Sequence, residues 1–240
     1  MMEFLHVAVA VFSLLSLGRS VPVTSCENLI QSREIHGNQL LGKWTLIGES
    51  TNMTEAKMLT KMFVDSAWVN VTAADRTDTF NSLHSQKMLG ICFAVKISMT
   101  LANNTLTVES PYQASSVLLN TGCPDCLVIY SNTSYGSLTF KGLQLLSRRV
   151  KVSAAELAEF RKQAECLNLP SPAILDSEKG FCPDPALTPE TMTIDLTSSL
   201  GSLNSGDFSQ IEKLFRDNDG IKTLSDSIQS ILDQMKQQAN

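Results

Sequence analysis

Side chains capable of nucleophilic or redox chemistry are few in this sequence, and most of them are cysteines. Two of the six, Cys123 and Cys126, form a Cys-x-x-Cys pair, which is the spacing of a dithiol redox site. Such a site needs a helix N-terminus to acidify its first thiol, whereas Leu-Val-Ile-Tyr after Cys126 is typical of a strand. We therefore interpret the pair as a local structural disulfide, with reactive thiols as the less favoured alternative.

Histidine is the other candidate for acid–base chemistry. His36 adjoins a glycine in a loop and His84 ends a strand-like segment, so both are interpreted as surface histidines, with His84 also a candidate for an inward polar position or the barrel rim. A catalytic nucleophile needs a base within reach, and all six cysteines have plausible disulfide partners. The sequence holds no glycine-rich phosphate loop and no metal-ligand cluster. We expect a protein that is not an enzyme and uses no cofactor or metal.

The N-terminus and the glycosylation motifs indicate the secretory route. An apolar run, Phe4 to Leu17, followed by Gly18 and Ser20, predicts a signal peptide over residues 1–20. That run is too short to span a bilayer as a helix, and no later segment is long enough. Secretion also accounts for the cysteines as disulfides. Four sequons are predicted glycosylation sites: Asn52, Asn70, Asn103 and Asn132. The net charge of −5, with scattered Lys and Arg, disfavours nucleic acid as a partner.

Short strand-like segments fill the middle of the chain. They are rich in Val, Ile, Thr and aromatic residues and are separated by turn-prone pairs such as Asn103-Asn104. Regular short strands in an extracellular chain predict a sandwich or a barrel. The eight predicted strands are Leu46 to Ser50, Ala67 to Ala74, Thr77 to Ser85, Met88 to Leu101, Thr105 to Ser110, Ala114 to Asn120, Cys126 to Asn132 and Gly136 to Ser147.

Two helical regions follow the strands. Residues Ser153 to Leu169 have a serine cap, Glu156 three positions on, and apolar side chains along one face, which predicts a single amphipathic helix ended by Pro170. Residues 183–240 read as a linker and two amphipathic helices broken near Gly220, forming a helical or flexible tail. These helices are expected either to rest on the domain or to bind a partner or a lipid surface.

The order of these features resembles a lipocalin. Gly42 and Trp44 near the mature N-terminus, eight strands, Arg148 at the end of the last strand and a following helix match that family, with Arg149 as the neighbour that could replace Arg148. The resemblance implies an all-β, eight-stranded antiparallel up-and-down barrel over residues 21–182, with the helix packed outside. It also implies that Trp44 closes the barrel base beneath Arg148. The family's Thr-Asp-Tyr motif is matched only at Asp125.

Within that family, the helix and the cysteine-containing segment after it resemble the acid glycoprotein (orosomucoid) and apolipoprotein M type. The sequons add a likeness to fish members named for binding tributyltin or saxitoxin and tetrodotoxin. The resemblance implies pairing of Cys26 with Cys166 and of Cys92 with Cys182, leaving Cys123 with Cys126. It further implies hydrophobic drugs, steroids, sphingolipids, organotin or guanidinium toxins as ligand classes.

The predicted function is a secreted carrier of a small hydrophobic or amphipathic ligand inside the barrel. If Cys92 bonds the tail outside the barrel, strand alternation turns the neighbouring side chains of the fourth strand inward. The alternative is an interaction protein, in which glycans and tail helices bind partners or lipoprotein surfaces and the barrel is a scaffold. The predicted ligand-binding residues are Phe93, Val95, Ile97, Met99, Leu106, Val108 and Tyr130.

Overall fold

The computed structural model describes residues 25–53, 60–135, 138–184, 193–195, 197–198 and 230. The predicted signal peptide and most of the predicted tail lie outside these residues. Within the described part, no helix is long and apolar enough to cross a membrane.

Eight antiparallel strands follow one another around a barrel, each paired with its neighbour in sequence, and β1 pairs with β8. The prediction of eight strands is confirmed, although β1 begins at Gly42 and so includes the Gly-Lys-Trp motif. Closure between β4 and β5 is confined to three residue pairs, Thr100 to Ala102 on β4. The strands are β1 (Gly42–Thr51), β2 (Val64–Ala73), β3 (Thr79–Met88), β4 (Ile91–Ala102), β5 (Thr105–Val108), β6 (Gln113–Leu119), β7 (Cys126–Tyr135) and β8 (Leu138–Ser147).

Within the described residues, three helices have both ends defined: α1 (Cys26–Leu29), α2 (Gly37–Leu40) and α3 (Ala154–Cys166). Residues 60–63 are also helical. The predicted capping box starts α3, since Ser153 Oγ accepts from the Glu156 amide and the Glu156 carboxylate accepts from the Ser153 amide. The buried side of α3 carries Phe160 and Ala164 and packs on the outer face of the barrel wall. The prediction of one helix packed outside the barrel is confirmed.

Two apolar clusters divide the core. The inner cluster lies inside the barrel around Trp44 and includes Leu118, Leu127 and Leu146. The outer cluster joins the opposite faces of β6, β7 and β8 to α3. Because side chains alternate along a strand, these walls carry apolar residues on both faces.

Three disulfides connect the barrel to its surrounding segments. Cys26 bonds Cys166, Cys92 bonds Cys182 and Cys123 bonds Cys126, which is the pairing that the resemblance implied. The last of these bridges is almost fully buried, so the interpretation as a structural disulfide is favoured over accessible reactive thiols.

Three further short elements follow α3. Strand β9 (Ala173–Ile174) pairs with β1, and a 3₁₀ turn spans Ser177–Lys179. Strand β10 (Thr193–Asp195) lies parallel to β4, with Thr193 opposite Cys92. The sequence predicts no strand in this part of the tail, and the structure has one.

Candidate ligand-binding site

The floor of the barrel is built from Trp44 and Arg148. The guanidinium carbon of Arg148 lies 3.4 Å from the centroid of the Trp44 ring, and the indole Nε1 donates to the Leu40 carbonyl at 2.8 Å. Arg148 also donates to the carbonyls of Lys43 at 2.8 Å and Leu41 at 2.6 Å. Arg148 thus contacts both the indole and the backbone at the start of β1. Its contact with Trp44 is the one that the resemblance implied.

Gly42 is required at this floor for two separate reasons. Its φ of +87° lies in the left-handed region, which favours glycine. A Cβ at this position would also approach Arg148 Nη1 at 3.1 Å. The glycine therefore gives the arginine room to lie against the backbone.

Asp125 binds both Arg148 and the next residue, Arg149. Its carboxylate accepts from Arg149 Nε at 2.7 Å and Nη2 at 2.9 Å, while its carbonyl accepts from the Arg148 amide. Arg149 also donates to Glu156 at 2.7 Å, and this bond holds the pKa of Glu156 at about 2. The two adjacent arginines thus have different roles, with Arg148 on the indole and Arg149 joining the barrel to α3.

The predicted fourth-strand residues face the barrel interior. Met99 pairs with Phe80, which belongs to the inner cluster, and alternation places Ile97, Val95 and Phe93 on the same face. On β5, Leu106 belongs to the inner cluster and Val108 shares its face. All six side chains thus face the barrel interior, and their contact with a ligand stays a prediction.

Burial of the inward positions changes along the barrel axis. Toward the floor most of them are almost fully buried, although Val69 and Met99 are partly exposed, whereas toward the opposite end, here called the mouth, many are only partly buried. In a closed wall, a partly exposed inward side chain borders internal space or the opening itself. The partly buried inward residues toward the mouth are Phe93, Val95, Val108, Ala114, Ser116, Ser131 and Phe140.

Tyr130 does not face the interior, so its prediction as a lining residue is wrong. It pairs with Leu143 and Val117 and packs on the outer cluster beneath α3. Its neighbour Ile129 packs on the inner cluster instead.

His84 is an inward polar residue, which is the alternative that the sequence left open beside a surface position. It pairs with Val95, and its Nε2 lies 3.0 Å from Ser82 Oγ. The Ser82 hydroxyl also lies 3.2 Å from the Ile97 carbonyl, so its one hydrogen has two acceptors within reach, and the tautomer of the imidazole decides which of the two bonds Ser82 donates. Burial lowers the His84 pKa to about 4, so the ring is neutral at physiological pH.

Glu49 brings a carboxylate to the inner wall. It pairs with Gln144, two positions before Leu146 of the inner cluster, and its Oε1 accepts from Thr60 Oγ1 at 2.5 Å. Gln144 Nε2 lies 3.4 Å from the other carboxylate oxygen. No lysine or arginine takes an inward position on the described strands, so the wall carries neutral polar groups and one carboxylate among apolar groups.

A separate cavity of about 200 Å³ lies outside the barrel wall, between β1, the start of α3 and the segment after it. Its lining includes Ile47, Leu157 and Phe181, with Val150 and Ile174 more exposed. Any binding experiment must therefore distinguish this outer cavity from the barrel interior.

The four sequons lie on the outside of the barrel. Asn52, Asn103 and Asn132 are exposed, and Asn70 is partly buried opposite Lys43 on β1. Their glycosylation stays a prediction.

Comparisons with known proteins are informative for the fold. No family model and no curated sequence matches the chain.

Solved structures do match the chain. The siderocalin Ex-FABP, described as acting through dual ligand specificities, is 19% identical and covers 61% of this chain and 99% of its own, with a TM-score of 0.54. Lipocalin 12 from rat epididymis is 16% identical over 65% and 93%, with a TM-score of 0.55. Odorant binding protein OBP1 is 13% identical over 63% and 99%, with a TM-score of 0.52. The chain has the lipocalin fold.

Proposed function

We propose that this chain is a secreted, glycosylated lipocalin that carries a small hydrophobic or amphipathic molecule inside its barrel. The observation that carries the proposal is the gradient of burial from the sealed floor at Trp44 to the partly exposed inward residues near the mouth. The inner cluster closes one end of the site at the floor. Above it, the apolar wall would stabilise a bound ligand by about 25 cal/mol for each Å² of apolar ligand surface that it buries. The structural neighbours named for ligand or odorant binding support the same class of function.

The polar groups of the wall favour ligands that donate hydrogen bonds or carry positive charge. Glu49 offers a carboxylate, and neutral His84 has one ring nitrogen that accepts a hydrogen bond. A ligand carboxylate would meet like charge at Glu49 without an inward cation on the described strands to offset it. A xenobiotic such as an organotin or a guanidinium toxin, the ligands named for the fish members that the sequence resembles, fits these groups.

Titration with the neutral fluorescent probe phenylnaphthylamine tests the proposed site. Val95→Trp fills the interior beside His84, whereas Ile174→Trp fills the outer cavity and serves as the matched control. We expect Val95→Trp to weaken probe binding at least tenfold and Ile174→Trp to leave it unchanged. Ala114→Phe, on another inward wall, provides a second blocking variant should Val95→Trp fail to fold. Binding lost only in Ile174→Trp would overturn the barrel site.

Deleting residues 185–240 separates the carrier function from the alternative interaction function. The truncated chain keeps all three disulfides, because Cys182 is the last cysteine. A barrel carrier retains its equilibrium affinity for the probe after the deletion. If the deletion alone abolishes probe binding, the tail is the binding element and the carrier proposal fails.

A further inference from the structure

The upper part of β4 has an unusual edge within the barrel wall. Strand β3 pairs with β4 from Ile91 to Thr100, but β5 pairs with it only from Thr100 to Ala102. The segment from Ile91 to Met99 therefore has no β5 partner on its second side. This uncovered length is called the β4 seam below. Exposed strand edges bind other strands readily, so a barrel must cover such a seam.

Residues of the tail occupy part of the β4 seam. Thr193, Ile194 and Asp195 pair in parallel with Cys92, Phe93 and Ala94. Two residues further on, the Lys96 amide donates to Thr197 Oγ1 at 2.9 Å, which continues the contact along the same strand. The tail residues thus pair with part of the β4 edge that β5 does not cover.

Side chains fix the register of this added strand. Asp195 lies 3.6 Å from Lys96 Nζ and also accepts from the Thr197 amide at 2.9 Å. The Lys96 and Asp195 side chains are 69% and 53% exposed, so their ion pair contributes little energy and mainly selects the register. Weak charge contacts on an exposed edge are suited to a strand that detaches and rebinds.

A covalent anchor keeps the tail strand close to its binding position. Cys182 is bonded to Cys92, and Thr193 pairs with that same Cys92. Cys182 and Thr193, eleven positions apart in the sequence, thus both meet the same residue of β4. Such a tether gives the tail strand a high effective concentration at the seam.

We propose that the β4 seam is a strand-binding site that residues 193–195 and Thr197 occupy in cis, and that its occupancy controls how fast ligand leaves the barrel. The second clause rests on the proposed carrier function. Phe93 and Val95, two partly buried inward residues, lie on the strand segment that the tail covers. Detachment leaves this part of β4 paired with β3 alone, which lets it move and open the wall next to these residues.

Hydrogen exchange of the full chain tests the strand-binding site without any ligand. Thr197→Val removes the acceptor of the Lys96 amide, and we expect that amide to exchange about fivefold to tenfold faster, as for the loss of one ordinary hydrogen bond. Lys162→Gln removes an exposed ion pair on α3 and is the matched control, which should leave Lys96 exchange unchanged. Equal exchange in the wild-type chain and Thr197→Val would overturn the strand-binding site.

Stopped-flow release of phenylnaphthylamine tests the effect on ligand exit. We expect Thr197→Val and the chain lacking residues 185–240 to release the probe about fivefold or more faster than the wild-type chain, with Lys162→Gln unchanged. Failure of the probe to bind the wild-type chain would contradict the carrier function, and with it the proposed control of ligand exit. Binding with identical release rates in all chains would overturn that control alone, leaving the carrier function intact.

Discussion

Arg148 lies over the ring of Trp44 and donates to the backbone carbonyls of both Lys43 and Leu41. The arginine comes from the end of the last barrel strand and the tryptophan from the start of the first, so the contact joins the two ends of the barrel sequence. It seals the floor on which the proposed ligand site depends.

Removing Arg148 should destabilise the barrel. We expect Arg148→Ala to lower the free energy of unfolding by about 2 kcal/mol, because a cation–π contact and charged hydrogen bonds are lost together. Arg148→Lys should recover only part of the lost stability. An ammonium group, unlike a planar guanidinium, cannot stack on the indole while it donates to both carbonyls. Denaturant unfolding measures the change, with Arg161→Ala on the exposed face of α3 as control. Equal effects of the two alanine variants would contradict the role of Arg148.

Gly42 and Gly90 offer a matched test of crowding at the floor. Both have positive φ, +87° and +84°, but a Cβ added at Gly42 would lie within 4 Å of Arg148, whereas one added at Gly90 would meet open space. Each change to alanine should cost about 1 kcal/mol for the backbone conformation, and Gly42→Ala should cost more because Arg148 must move. Denaturant unfolding of both variants measures the difference. Equal losses would show that the arginine is not crowded there.

His84 should make the fold sensitive to mild acid. Its pKa in the folded chain is about 4, below the ordinary value of 6.5, so between these values the unfolded chain binds the proton more readily. Stability is therefore lost as the pH falls through this window, by up to about 3 kcal/mol. His84→Gln should flatten unfolding curves measured from pH 7 to pH 4, whereas His36→Gln, at an exposed site, should not. An unchanged slope in His84→Gln would contradict the buried, neutral imidazole.

Glu49 should discriminate between charged and neutral ligands. Glu49→Gln keeps the size and the hydrogen-bond acceptor but removes the charge, so affinity for a dansylated alkylguanidinium should fall about tenfold. Affinity for neutral phenylnaphthylamine should stay constant. Fluorescence titration measures both, with Glu159→Gln on α3 as a control. A parallel loss of both probes would assign Glu49 to structure rather than to charge recognition.

The sequence predicted the barrel well because its motifs and strand periods agree with one another. The eight strands, α3 and the disulfide pairing are all found in the structure. Inward residues of β4 were predictable because Cys92 fixed the phase of the strand: a cysteine bonded outside the barrel turns Phe93 inward.

Tyr130 was misplaced, and His84 was left between the surface and the interior, for different physical reasons. On β7 the outer face is covered by α3, so both faces are apolar and alternation does not identify the inward one. On β3 the inward face carries Ser82 and His84, which reads as a solvent face when the strand is considered alone. Only the pairing of His84 with Val95 shows its orientation. The tail strand was missed because its three residues carry no period of their own.

The most direct test of the barrel carrier is the position of a bound ligand relative to methyl groups on the two sides of the wall. Methyl-labelled protein with bound phenylnaphthylamine should show nuclear Overhauser effects from the probe to Val95 and Ile97, which face the interior. Effects confined to Val150 and Ile174, which line the outer cavity, would contradict binding inside the barrel.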